Sequence, residues 1–170
     1  MKIVLVGYMA SGKSTVGRLL ARHLGVQFID LDNYIEANQK KTIKSIFSEK
    51  GEVFFRKLEY QMLAEVLEKE ESIILSTGGG TPCYGTNMET ILNQSDHSIY
   101  LDVNIPNLVQ RVSKEKENRP LVKNIPGEEL PEFIGKHLFE RRPYYLQAKH
   151  ILDCNVADAE TVVENIKELL

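Results

Sequence analysis

The chain has 170 residues, 42% of them hydrophobic and 26% charged, with a formal net charge of -3. That length suits one domain with a proper core, and that charge offers no basic field to nucleic acid or an anionic membrane. Two isolated cysteines, Cys83 and Cys154, exclude a disulfide framework or a zinc site, and no apolar run has the length of a signal peptide or a membrane span, so a reduced, cytoplasmic setting is expected.

In chain order, Lys2–Val6 is an apolar, β-branched run of strand length. Gly7-Tyr8-Met9-Ala10-Ser11-Gly12-Lys13-Ser14 follows and fits the phosphate-loop pattern G-x-x-x-x-G-K-[ST] at every fixed position. Thr15–Leu24 then carries Val16, Leu19, Leu20 and Leu24 at helical spacing. Strand, glycine loop and helix are the context the motif needs. Chance alone would place the pattern in a chain of this length about once in a hundred times or less. Gly7 and Gly12 let the backbone curl its N–H groups toward a phosphate, and the helix N-terminus adds partial positive charge. Lys13 is placed to reach the β- and γ-phosphates and Ser14 to hold Mg2+.

Val26–Asp30 predicts a second strand, ending in Asp30-Leu31-Asp32, with a helix over 33–38. From Thr42 the pattern is helical, with a break at Gly51 and a second stretch over Glu52–Lys69 that carries Arg56 among Val53, Phe54, Phe55 and Leu58. Ser72–Ser76 is a buried-looking strand running into Thr77-Gly78-Gly79-Gly80, and Thr86–Asn93 predicts a helix. Ser98–Asp102 predicts a strand and Ile105–Val112 a helix. Ser113–Glu129 is charged, carries Pro120, Pro126 and Gly127, and has few apolar anchors, the texture of a mobile lid or loop. Leu130–Ala148 predicts a helix, His150–Asp153 a last strand and Asp158–Leu170 a last helix. The alternation predicts one α/β domain over 1–170: a doubly wound parallel sheet of about five strands, covered by helices on both faces. Ligands then sit at the carboxyl ends of the strands, near Gly7, Asp30 to Asp32, Thr77 to Gly80, and Asp102.

The absence of a guanine-reading Asn/Thr-Lys-x-Asp run disfavours a GTPase, and the length is short for a mechanochemical ATPase. A small-molecule kinase fits, since it needs an acceptor held in line and water kept out. The metal site needs an acid at a strand end. Asp30 is the first choice and Asp102 the second, each with helix capping or a turn as the alternative. Asp32 is placed either to accept hydrogen bonds from an acceptor hydroxyl or to cap the following helix. Arg56, Arg119 and Arg141 are candidate anion binders, with Arg119 in the lid over 112–124.

Taken together, the chain resembles shikimate kinases over essentially its whole length. The resemblance rests on the loop through Val16-Gly17, Asp30-Leu31-Asp32, Phe55-Arg56-x-x-Glu59, Thr77-Gly78-Gly79-Gly80, Arg119-Pro120-Leu121 and Arg141-x-Pro143-x-Tyr145. It implies a nucleoside-monophosphate-kinase-like topology and Mg2+- and ATP-dependent phosphorylation of the 3-hydroxyl of shikimate, a step toward chorismate and the aromatic amino acids. By matching positions, Ala10, Ser11, Gly12, Lys13, Ser14 and Thr15 bind the nucleotide, and Ser14 and Asp30 hold the metal. Asp32 takes the shikimate hydroxyls, Arg56 and Arg141 its carboxylate, and Gly78, Gly79 and Gly80 line the same pocket within a substrate segment over 32–60. Arg119 reaches the ATP phosphates, so that Lys13, Asp32 and Arg119 form the catalytic set. Arg111 corresponds to a residue packing on adenine, although its spacing to Arg119 is off by about one residue. A monomer acting on small molecules is expected. Two departures stand out: Ala10-Ser11 where Gly-Ala is common, which demands a backbone that tolerates a Cβ, and Phe54 where a smaller residue is frequent. A kinase for another polyol such as gluconate, and a nucleotide-binding module without catalysis, are the competing readings; intact Lys13, Ser14, Asp30 and Asp32 argue against the second.

Overall fold

A computed structural model describes all residues, 1–170. Five strands form one parallel sheet: β1 (Lys2–Val6), β2 (Gln27–Asp30), β3 (Ile73–Ser76), β4 (His97–Asp102) and β5 (His150–Asp153), in the order β2-β3-β1-β4-β5. The central strand explains the architecture. Successive residues Ile3, Val4, Leu5 and Val6 point to opposite faces, yet all are fully buried. Both faces of the sheet are therefore covered, as parallel sheets require. Val4 stands in register with Leu75 on one side and Ser98 on the other.

The helices are α1 (Lys13–Leu24), α2 (Leu31–Gln39), α3 (Ile43–Lys69), α4 (Asn87–Gln94), α5 (Ile105–Glu115), α6 (Leu130–Tyr145) and α7 (Ala159–Leu169). Helix α1 ends where Gly25 turns left-handed, with φ 65. Gly17 lets it approach the sheet: a Cβ there would lie 2.5 Å from the Phe28 ring. The break foreseen at Gly51 is present; its φ of 82 and ψ of 173 interrupt α3.

Several boundaries differ from the sequence-based expectation. Helix α2 starts at Leu31, because Asp30 takes the N-cap and accepts from the Asn33 N–H. A short 3-10 turn at Thr81–Cys83 was not foreseen. Helix α5 continues past Val112 to Glu115 and into a 3-10 turn at Lys116–Asn118. The segment after it does have an apolar anchor: Val122 is fully buried, and Ile125 packs against the core. Phe54 is partly exposed with the Lys50 ammonium over its ring, so its bulk faces away from the core.

The largest fully buried side chains are three tyrosines, Tyr8, Tyr100 and Tyr145. Each hydroxyl finds a partner, as buried tyrosines need: Tyr8 with His137, Tyr100 with Asp102, and Tyr145 with the Gly79 carbonyl. No helix is long and apolar enough to cross a membrane.

Candidate active site

The carboxyl ends of β1, β2 and β3 open onto a cavity of about 540 Å³. Residues Met9 to Val16 form its floor, with Asp30, Asp32, Gly78 and Gly79 on one wall and Arg111, Lys114, Glu115 and Arg119 on another.

The floor is built as an anion cradle. Gly12 precedes α1 with φ 96, a left-handed turn that no side chain caps. The N–H groups of Gly12, Lys13, Ser14 and Thr15 have no acceptor within the chain. They add to the positive end of the α1 dipole. Lys13 is buried and donates to the carbonyls of Gly7 (2.8 Å) and Tyr8 (3.0 Å). Burial lowers its pKa to about 8 against the opposing pull of Asp32. Ala10 holds a left-handed φ of 62, so the substitution of glycine by alanine does place a Cβ where it is sterically disfavoured.

Ser14 Oγ donates to Asp30 Oδ2 at 2.9 Å, while Asp30 Oδ1 caps α2. Hydroxyl and carboxylate oxygens meeting at the cavity wall are the hard donor set that Mg2+ takes. Asp102, the second choice for that role, does not line the cavity. It accepts from the Tyr100 hydroxyl at 2.9 Å and pairs with Arg142 at 3.0 Å.

Asp32 stands inside the first turn of α2 and does not cap it; Asp30 does. That removes the structural alternative for Asp32. Burial, with Asp30 and Glu59 adding repulsion, raises its pKa to about 6.

The glycine loop after β3 lies tightly among charged side chains. A Cβ on Gly78 would stand 3.0 Å from Asp32 Oδ1. One on Gly79 would stand 3.3 Å from Arg141 Nη1, and one on Gly80 would stand 3.2 Å from Arg141 Nη2 and both terminal nitrogens of Arg56. Asp32, Arg56 and Arg141 thus converge on three consecutive glycines. The cavity itself extends to Asp32, Gly78 and Gly79; Arg56 and Arg141 lie next to Gly80 beyond it. The Arg56 guanidinium stacks on Tyr84 at 3.7 Å and pairs with Glu59 at 2.9 Å. Glu59 is 1% exposed and its other oxygen accepts from Thr81 Oγ1 at 2.8 Å. Arg141 forms no ion pair with a carboxylate of the chain.

Arg119 lines the cavity and pairs with Glu115. Arg111 also lines it, but its guanidinium is engaged with backbone: it donates to Ala10 O, Ser11 O and Cys154 O at 3.1–3.4 Å. It straps the phosphate loop to the segment after β5. Sequence reasoning assigned no role to Glu59, although its spacing of three from Arg56 on a helix is a readable pairing signal. It also passed over Tyr8 and His137. Tyr8 occupies a variable place in the loop pattern and His137 is a lone histidine on a helix, so neither carries a signal.

A loop of free N–H groups, a hydroxyl–carboxylate pair and an adjoining pocket with two arginines and a buried acid define a phosphate-loop phosphotransferase. The deoxyadenosine kinase of M. mycoides shares the fold at a TM-score of 0.60 and 19% identity, covering 99% of this chain and 98% of the other. The sequence model of the shikimate kinase family matches residues 9–170, and the chain belongs to that family. It is 44% identical to the shikimate kinase of Flavobacterium psychrophilum over 169 residues, 99% of this chain and 98% of that one. The shikimate kinase structure from Bacteroides thetaiotaomicron superposes with a TM-score of 0.92 at 41% identity, covering 99% of this chain and 97% of the other. A shikimate kinase from Acinetobacter baumannii, solved in complex with shikimate, gives a TM-score of 0.88 at 34% identity, covering 99% and 91%.

Proposed function

We propose that this protein transfers the γ-phosphoryl group of ATP to the 3-hydroxyl of shikimate, giving shikimate 3-phosphate and ADP. The observation that carries the reading is the convergence of Asp32, Arg56 and Arg141 on Gly78, Gly79 and Gly80, directly beside the phosphate loop. Two guanidinium forks suit a carboxylate, and a buried acid suits hydroxyls. Shikimate presents both groups on one small ring.

The roles follow from position. The free N–H groups of Gly12 to Thr15 cradle the phosphates, alongside Ala10 and Ser11. Lys13 exchanges its loop carbonyls for phosphate oxygens. Ser14 and Asp30 would supply the protein oxygens for Mg2+, and the ion would supply charge neutralisation to the phosphates. Asp32 accepts from the attacking hydroxyl, orients it in line and receives its proton. Arg56, held by Glu59 and Tyr84, and the unpaired Arg141 seat the carboxylate; Gly78, Gly79 and Gly80 give the ring close access to them. Arg119 leaves Glu115 for the transferring phosphoryl group as the segment over 112–124 closes and excludes water. Arg111 holds the loop in shape beside the nucleotide base. In this reading ATP and a small acceptor are the substrates, and the protein acts as a monomer in the cytoplasm.

Phosphorus NMR of a reaction containing ATP, Mg2+ and shikimate tests this. A new phosphomonoester signal coupled to the ring proton at carbon 3 is expected. Release of inorganic phosphate alone would contradict it.

A further inference from the structure

Tyr8 sits inside the phosphate loop yet belongs equally to α6. It is 1% exposed. Its backbone carbonyl accepts from Lys13 Nζ at 3.0 Å and from the Ser11 N–H at 3.2 Å. Its hydroxyl is hydrogen-bonded to His137 Nδ1 at 2.8 Å, and its ring meets the His137 ring edge-on, centroids 5.3 Å apart at 84°. His137 packs on Phe133 from the other side.

His137 and Arg141 are four residues apart on α6, so their side chains lie one above the other on one face. Arg141 touches the glycine loop at Gly79 and Gly80. Direct contacts therefore run from Lys13 through the Tyr8 peptide and ring to His137, and Arg141 follows one helical turn further along α6. Burial keeps both partners of the connecting bond neutral. It raises Tyr8 to about 12, against the pull of Arg141 and Arg119, and lowers His137 to about 4, with Arg141 adding repulsion. At neutral pH the phenol keeps its proton and the imidazole is uncharged, so the bond joins two neutral groups.

We propose that Tyr8 and His137 are positioning residues whose hydrogen bond ties the phosphate loop to α6, so that nucleotide and acceptor bind cooperatively. The proposal rests on the reading of Arg141 as the group that seats the acceptor carboxylate. When Lys13 turns to phosphate it releases the Tyr8 carbonyl. The loop then settles into its nucleotide-bound arrangement with its Tyr8 ring fixed against α6. Whichever ligand binds first orders the shared contact, and the second binds to a site already arranged.

Calorimetric titration of shikimate with and without ADP and Mg2+ measures the coupling as a ratio of dissociation constants. The wild type is expected to bind shikimate several-fold more tightly with ADP present. Tyr8→Phe keeps the ring packing and loses the bond; the ratio should fall to about one. His137→Leu should do the same, the double variant should fall no further, and His137→Asn, which keeps an acceptor near Nδ1, should retain the coupling. A merely structural role would weaken both binary affinities and leave the ratio unchanged, and that result overturns the proposal, as does a wild-type ratio of one. Hydrogen exchange of residues 137–141 on adding ADP alone gives a readout independent of the acceptor. Slowing in the wild type but not in Tyr8→Phe supports the link; equal slowing in both overturns it. Slowing through Tyr8 in a protein that binds no shikimate would refute the proposed acceptor while leaving the link standing.

Discussion

Ser14 Oγ and Asp30 Oδ2 lie 2.9 Å apart, joining the first turn of α1 to the N-cap of α2. One carboxylate serves two purposes: one oxygen caps a helix and the other faces the phosphate loop's hydroxyl. The two purposes are separable by substitution. Asp30→Asn preserves the cap, since Asn and Asp rank together there, whereas Asp30→Ala loses about 1 kcal/mol of stability. Both should raise the Mg2+ concentration for half-maximal activity by about 10-fold or more. Thermal unfolding and Mg2+ titration of the two variants check this; a normal Mg2+ requirement in Asp30→Asn would leave Asp30 as a cap only.

If Asp32 takes the acceptor proton as proposed, it should govern the acid side of the pH profile. Its pKa is raised to about 6, chiefly by burial, and its role requires the carboxylate form. The kcat/KM for shikimate should therefore fall below about pH 6. For stability the sign is opposite to that of a salt-bridged acid. Because the folded pKa lies above the unfolded 3.8, the native state holds the extra proton, and the contribution present below about pH 4 is lost as pH rises through about 6. Asp32→Asn, uncharged throughout, should gain roughly 2 kcal/mol on the wild type at pH 7 relative to pH 4. Its kcat should drop about 100-fold or more, with ATP affinity nearly unchanged. Denaturant unfolding at the two pH values and steady-state kinetics test both statements; near-normal turnover would remove Asp32 from the chemistry.

The proposed seat of the acceptor carboxylate uses two guanidinium groups with different supports: Arg56 pairs with Glu59, and Arg141 has no ion-pair partner. Arg141→Ala and Arg56→Ala should each cost about 2–5 kcal/mol in shikimate binding, with ATP binding little changed. Glu59→Gln should have a smaller effect in the same direction, because it loosens Arg56 without removing it. Titration of shikimate into each variant provides the check. Normal affinity in both arginine variants would move the acceptor site elsewhere.

Gly80 offers a test of the close approach. Its φ of -86 suits any residue, so alanine brings no backbone strain. The added Cβ would lie 3.2 Å from three guanidinium nitrogens, which are the free ends of flexible side chains. Gly80→Ala should therefore leave stability within about 1 kcal/mol while raising the KM for shikimate, because the arginines shift. An unchanged KM would mean that the arginines do not need their present positions.

Much of this was legible in the sequence. The phosphate loop, the five strands, the break at Gly51 and the placement of key residues at strand ends all depend on local pattern and backbone chemistry. Asp30 and Asp32 could not be told apart that way, since either carboxylate satisfies the chemistry of a helix cap; only the Asn33 N–H on Asp30 decides it. The reach of α5 to Glu115 and the burial of Val122 were also hidden, because a single apolar residue in a charged stretch has no periodicity to reveal it. The bond between Tyr8 and His137 spans 129 positions and exists only through the packing of α6 against the loop.

The most direct measurement is coupled ADP release, run in parallel with shikimate, with gluconate and with no acceptor, each with and without Mg2+. Rapid release with shikimate and Mg2+ together, and only background in every other arm, is the predicted result. Equal rates with and without shikimate, or a preference for gluconate, would contradict the assignment of Asp32, Arg56 and Arg141 to a shikimate site.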